Sequence, residues 1–288
     1  MTELVGTQTV QTGGRTSRAG RDLPRAVAVG VALLAVVVAS LLWRKELFVL
    51  LAVVACGAAL WELAQAFTRR HLHLPLLPVL VGSTGILVSA YVAGAEAMFV
   101  AFLLTAGGAV VWRVLDGSGT PALRDAAAGT FATAYIPLMG GFVMLMLAEA
   151  DGPARVLLFV LLAVASDTGG YIAGVLAGRH PLAPSVSPKK SWEGLGGSLL
   201  LAGSVGGIGV WLAFDASPVL GVVLGVAAVL TATLGDLAES LLKRDLELKD
   251  MGSLLPGHGG VLDRLDSLLL TAPLVHTVLL VALPAVGD

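Results

Sequence analysis

Long uncharged apolar runs recur along this chain, and they decide the solvent in which it folds. Val27–Leu42 and Val219–Leu230 contain no charged residue at all. About 20 apolar residues are enough for a helix to cross the hydrocarbon core of a bilayer. By that ruler the spacing predicts nine crossings, over 24–43, 46–68, 74–93, 95–113, 126–148, 154–178, 192–214, 218–242 and 265–285. A membrane β-barrel would instead need short strands alternating apolar with polar residues, and these runs do not alternate. The expected fold is therefore all-α, a polytopic integral membrane protein with about nine transmembrane helices.

Composition narrows the function classes. Charged residues make up 13% and apolar residues 56%, with mean hydropathy +0.88, whereas a soluble domain carries roughly a quarter charged residues. This excludes disorder for nearly the whole length. A single cysteine, Cys56, excludes a disulfide scaffold. A net charge of −2 gives no footing for a nucleic-acid partner. The 36 glycines suit helices that pack closely in lipid.

Residues 1–23 read as a disordered cytoplasmic tail, 24–150 as five N-terminal transmembrane helices, and 151–288 as a catalytic C-terminal segment of four more. No small-x-small cleavage site closes the first apolar run before Trp43 and Arg44, so a retained signal anchor is expected. With the N-terminus inside, only Arg44, Lys45 and Arg155 of the 18 Lys and Arg residues fall outside. This bias places the connections around Lys189 and Lys249 in the cytoplasm of a multi-pass cell-membrane protein. No internal repeat is evident, which counts against a transporter built from duplicated halves.

Polar residues concentrate in the C-terminal segment. The first five spans offer Glu62 and Gln65 and little else. His71 and His73 read as interfacial anchors, since a metal site needs more partners than their short loop provides. Asp167 lies in mid-span between Ser166 and Thr168. A carboxylate there needs a polar cavity or a partner, and it is read either as a buried, satisfied Asp or as the floor of a hydrophilic cavity. A Pro-rich turn then presents Lys189 and Lys190 just before a helix begins near Trp192. A lysine pair at that place is a topology signal or a phosphate site.

The densest stretch runs from Gly235 to Asp266. On a helix, Asp236, Glu239, Ser240 and Lys243 share one face. Gly257, Gly259 and Gly260 around His258 permit backbone amides to converge on an anion. Asp263 and Asp266 open the last span. Solvated charges and helix caps explain these residues singly, but not their crowding into one stretch. Carboxylates hold divalent metals through oxygen, metals bridge phosphate oxygens, and Lys or Arg neutralises what is left. The pattern points to a polyphosphate substrate and, at a membrane surface, a lipid co-substrate.

Ser240-x-Leu242-Lys243-Arg244, Lys249-Asp250-x-Gly252 and Leu255-Pro256-x-His258-Gly259-Gly260-Val261-x-Asp263-Arg264-Leu265-Asp266 together resemble the signature of phosphatidate cytidylyltransferases, the CDP-diacylglycerol synthases. Ser166-Asp167-Thr168 with Gly170 and Tyr171, and Ser187-Pro188-Lys189-Lys190-Ser191-Trp192-Glu193-Gly194, agree with it. The likeness covers residues 165–267. It implies transfer of CMP from CTP to phosphatidate, with Mg²⁺ as the metal, a second cation such as K⁺, and a homodimer. It further implies Asp236 and Asp263 as metal ligands, with Asp167 as a third ligand or a cavity residue. Catalysis would fall to Asp236, Asp263, Lys243 and Arg264. Lys189, Lys190, Ser240, Arg244, Lys249, Asp250, His258, Gly259, Gly260 and Asp266 would contact the substrates.

Three other readings fit parts of the pattern. A CTP-dependent polyprenol or lipid kinase shares the setting but releases CDP rather than pyrophosphate. A secondary transporter uses Asp167 and the glycines without needing the 243–266 stretch. A membrane scaffold binds no nucleotide.

Overall fold

The computed structural model describes residues 23–254 and 259–283; the side chains of residues 23–27, Pro188 and Lys189 are outside that description. The tail expected over 1–23 therefore falls outside the described residues up to position 22. The helices are α1 (Leu23–Trp43), α2 (Lys45–Thr68), α3 (Leu76–Asp116), α4 (Thr120–Thr133), α5 (Met139–Ala148), α6 (Gly152–Ala177), α7 (Trp192–Phe214), α8 (Pro218–Asp245) and α9 (Leu262–Ala282). One small antiparallel hairpin, β1 (Pro181–Ala183) with β2 (Ser187–Ser191), lies between α6 and α7. The fold is all-α in its membrane part, as the apolar runs require.

Seven helices among the described residues are long and apolar enough to cross a membrane, with α4 and α5 acting as one; α1 contributes the shorter stretch Ala28–Trp43. The lower count comes from α1 and from α3, which joins two of the nine expected spans into one element. Spans 74–93 and 95–113 form one element whose helical geometry breaks at Gly94 (φ 83°, ψ −169°). A left-handed φ of this kind is open to glycine at little steric cost. The break turns the chain back: a Cβ on Gly82 would strike the side chain of Thr105, although on a straight helix these residues would stand about 35 Å apart. Between α4 and α5, Ala134–Leu138 forms a π-helical turn around Pro137. Proline lacks the amide that the regular ladder needs, and the wider turn absorbs the gap.

Packing relies on small residues. In lipid, apolar burial gives helices little reason to associate, so close van der Waals contact takes over. A Cβ at Gly169 would lie 2.9 Å from the Gly197 carbonyl carbon, and Gly206 and Gly221 press together so that neither tolerates a side chain. These contacts lock α6 to α7 and α7 to α8. Gly235 packs on the backbone of Asp266, and the Thr231 hydroxyl donates to Thr271 Oγ1 at 3.2 Å, which sets α8 antiparallel to α9. One apolar core, from Leu41 to Leu283, takes side chains from both halves of the chain. Large apolar residues such as Val92, Leu176, Leu200 and Val281 face outward.

Polar contacts between elements gather at the two ends of the bundle. At one end Arg113 pairs with Asp125 (2.5 Å), the His73 amide donates to Asp125 (2.7 Å), and Arg70 pairs with Glu247 (2.9 Å). At the other, Lys45 donates to the Glu149 carbonyl and Tyr91 to Glu46 (3.4 Å). Each contact joins connections that the alternating topology assigns to the same side. Arg155, at the outer end of its expected span, is buried in the first turn of α6 and held by Asp151 at 2.6 Å.

Candidate active site

A cavity of about 500 Å³ opens between α6, the β-hairpin, α7 and α8. Absent side chains create it: Gly170, Gly174 and Gly194 line the wall where α6 faces the start of α7. Asp167 and Ser166 reach it from α6, Lys190 and Ser191 from the hairpin, Ser198 from α7, and Thr233 and Asp236 from α8. Ser198 donates to the Ser166 carbonyl at 2.6 Å, tying two walls together. Ser191 caps α7 by accepting from the Gly194 amide at 3.1 Å, leaving the positive end of that helix at the cavity edge. Glu193, in the first turn, is occupied elsewhere: it accepts from the Arg179 and His180 amides and contacts the His180 ring at 2.6 Å, which anchors the hairpin.

Lys190 donates to the Asp236 carboxylate. Both side chains are about a quarter exposed, so the pair is wet enough to exchange partners with a charged ligand. Of the lysine pair, Lys190 faces the cavity, while the Lys189 side chain lies outside the described residues.

A second cluster adjoins the first along α8 and α9. Lys243 donates to Glu239 at 2.5 Å and to Asp263 at 3.0 Å. Asp263 also accepts from the Gly260 amide (2.7 Å) and the Met251 amide (3.0 Å). Its carboxylate is thereby engaged in holding the connection between α8 and α9. Glu239 is 1% exposed, and its Oε1 has no hydrogen-bond partner among the described residues. Its carboxyl lies close to that of Asp266, and the charge of Asp236 bears on both Asp266 and Asp167. Asp236 therefore stands between the cavity and this carboxylate cluster.

The register of α8 on α9 sorts these acids by position. Asp236 lies level with Asp266, while Asp263 faces Glu239 and Lys243 one helical turn away. Among the described residues no three His, Cys, Asp or Glu side chains form a ready ligand set, so Asp236, Asp263 and Asp167 do not assemble as one. Ser240 is half-buried on α8, whereas Arg244, Lys249 and Arg264 are exposed; the Arg264 charge bears on Asp167. Asp250 comes near Asp263 across Gly259, whose φ of 83° makes the turn. His258 lies outside the described residues.

Sequence reasoning noted Glu62 and Glu239 without making either a site residue, and passed over Tyr135 altogether. Glu62, an acid inside an apolar span, carried the signal of its own cost. Tyr135 carried none; its buried hydroxyl has no partner among the described residues and lies within electrostatic reach of Glu239, Asp266 and Asp236.

Comparison with known proteins finds likeness over nearly the whole chain. The profile described as the cytidylyltransferase family matches residues 24–282. The chain belongs to the cytidylyltransferase family. It is 40% identical over 282 residues to a phosphatidate cytidylyltransferase of Mycobacterium leprae, covering 92% of this chain and 89% of that one. A phosphatidate cytidylyltransferase of Mycobacterium tuberculosis (strain H37Rv) is 38% identical over 280 residues, with 92% and 84% covered. One from Synechocystis is 45% identical over a shorter 129 residues. In this cytidylyltransferase the likeness thus extends through the N-terminal half, where the sequence offered no motif.

Proposed function

We infer that this chain transfers CMP from CTP to phosphatidate, releasing pyrophosphate and forming CDP-diacylglycerol for phospholipid biosynthesis. The observation that carries this reading is membership of the cytidylyltransferase family over residues 24–282. The cavity supports it independently: it is polar, lined by cation and carboxylate together, and sits at one end of a membrane bundle where a lipid headgroup and a soluble nucleotide can meet.

The chemistry is an in-line displacement. A nonbridging oxygen of the phosphatidate phosphate forms a bond to the α-phosphorus of CTP, the bond from that phosphorus to the bridging oxygen of the β-phosphate breaks, and pyrophosphate takes the electron pair. Two anions must be brought together, so positioning and charge compensation dominate. Lys190 supplies positive charge at the cavity wall and exchanges Asp236 for a phosphate oxygen. Ser191, Ser198 and Thr233 offer hydroxyl donors. Lys243 and Arg264 sit on the neighbouring cluster, with Lys189, Arg244, Lys249 and His258 assigned to the substrates from the signature alone.

Mg²⁺ belongs to the same proposal. The donors are all hard oxygens, and a cation near Asp266 and Asp236 would also offset the buried Glu239 carboxyl, whose Oε1 has no hydrogen-bond partner among the described residues. A protein set of one or two carboxylates suits Mg²⁺, which takes its other ligands from water and substrate phosphates. Asp236 and Asp266 would hold it, with Asp263 fixing the adjoining turn and Asp167 facing across the cavity. When bound, the metal would screen the phosphates and stabilise charge on the leaving pyrophosphate. A second cation such as K⁺ and a homodimer follow from the family resemblance. The basic bias of the loops supports a cytoplasmic cavity in the cell membrane.

Detergent-purified protein incubated with labelled CTP, phosphatidate and Mg²⁺ tests the reading by chromatography of lipid and nucleotide products. CDP-diacylglycerol and pyrophosphate are expected. Release of CDP with a phosphorylated lipid would assign a kinase, and no CTP turnover would sink the proposal.

A further inference from the structure

The connection between α8 and α9 is gripped from outside the C-terminal segment, by the last turns of α2. Glu62 is 1% exposed, and its Oε2 accepts from the amide of Leu262, the first residue of α9, at 2.9 Å. Val261, at the cap position of α9, supplies no side-chain acceptor of its own. Amides at a helix start have no partner within the helix and carry partial positive charge. Glu62 thus caps a helix 200 residues away in sequence. Arg70, just beyond α2, donates from Nε to the Asp245 carbonyl at 2.8 Å, where α8 ends.

The fit around Glu62 is close. A Cβ on Gly252 would meet Oε1, Cδ and Cγ of Glu62, the last at 2.7 Å. A Cβ on Gly260 would lie 2.5 Å from Glu62 Oε2 and 2.8 Å from the Gly252 amide nitrogen. Asp263, in the first turn of α9, takes the Gly260 and Met251 amides on the other side of the same turn. Two carboxylates from opposite ends of the sequence therefore hold one short connection.

We propose that Glu62 is a positioning residue for the transfer reaction: it fixes the start of α9 against the connection from α8, and so sets where Asp263, Arg264 and Asp266 stand relative to Asp236. This rests on the function proposed above. It gives the N-terminal half, which carries none of the signature, a defined part in the chemistry.

The test uses full-length wild type, Glu62→Ala, Gly252→Ala and the double variant in detergent, with two readouts. One is the rate of tryptic cleavage after Lys249, which is exposed within the connection; the other is Mg²⁺-dependent CDP-diacylglycerol synthesis. Glu62→Ala is expected to speed cleavage and lower kcat by about tenfold or more, since small displacements of reacting groups are costly. KM for phosphatidate should stay within about threefold, because Glu62 does not touch it. Gly252→Ala should reproduce both effects. The double variant should be no worse than Glu62→Ala, because Ala at position 62 removes every atom that a Cβ at 252 would strike first; such non-additivity reports direct contact. Adding Gly260→Ala to Glu62→Ala should worsen matters, since the Gly252 amide remains in its way. Glu62→Gln, which keeps an acceptor for Leu262, should recover most of kcat. Wild-type cleavage and kcat in Glu62→Ala, additive losses in the double variant, or a loss confined to KM would each overturn the proposal. If Glu62→Ala does not fold, Gly252→Ala decides: cleavage at the wild-type rate overturns it. A wild type inert towards CTP would refute the function while leaving the proteolysis result to judge the contact.

Discussion

Gly169→Ala tests whether the cavity depends on the spacing of α6 and α7. The added Cβ would sit 2.9 Å from the Gly197 carbonyl carbon and 3.0 Å from Leu201 Cβ. Carbon atoms in ordinary contact stand about 3.5–4.0 Å apart, so the helices must separate by at least about half an ångström. Overpacking of this kind costs about 1–3 kcal/mol, which corresponds to a fall of several degrees in Tm. The separation also reaches the cavity, since its lining residues Gly170 and Ser198 directly follow Gly169 and Gly197, and Asp167 lies two residues before Gly169. A misplacement approaching 1 Å lowers turnover by up to about 100-fold. Thermal unfolding in detergent and CDP-diacylglycerol synthesis on the same preparation measure both effects. Gly196→Ala is the control: nothing lies within 4 Å of its Cβ, and Ala is the better helix former by about 1 kcal/mol. It should keep its activity and keep or raise its Tm. Wild-type Tm and turnover in Gly169→Ala, or equal damage from Gly196→Ala, would refute the argument.

Three further outcomes separate the roles of the charged residues. Asp236→Asn should lower turnover by orders of magnitude with little change in Tm, because its carboxylate faces the cavity; Asp263→Asn should lower Tm as well, because Asp263 holds the Met251 and Gly260 amides. Equal Tm losses in the two variants would remove that distinction. Lys190→Gln should raise KM for CTP by about tenfold, as expected for a charge-assisted phosphate contact, and unchanged kinetics would return Lys190 to a topological role. A cysteine replacing exposed Asp245 should resist impermeant thiol reagents in intact cells and react after permeabilisation; the natural Cys56 is buried and gives no background. Labelling in intact cells would reverse the orientation.

Much of the site was legible because its chemistry is written in residue types that are expensive in a membrane. Asp167, Lys190 and Asp236 stand out against an apolar background, and all three line one cavity. The sequence paired Asp236 with Asp263, whereas the helix register pairs Asp236 with Asp266 and gives Asp263 to the amides of the connection. Spacing along the chain brings both acids to the same end of the bundle, but which ones meet depends on how far α9 slides along α8. Gly235 on the Asp266 backbone sets that slide, through a contact no local pattern encodes.

The apolar runs by themselves determined an all-α membrane bundle, because a backbone in lipid must satisfy its own hydrogen bonds within each segment. They also fixed where most helices begin and end, through proline, glycine and charge at the breaks. The break at Gly94 between the expected spans 74–93 and 95–113 was legible in the same way; only the tertiary structure decided that Glu62 caps α9 and that Tyr135 lies near the carboxylates of α8 and α9. These are contacts between segments far apart in sequence, and in lipid their choice rests on the close fit of small residues rather than on any periodic pattern.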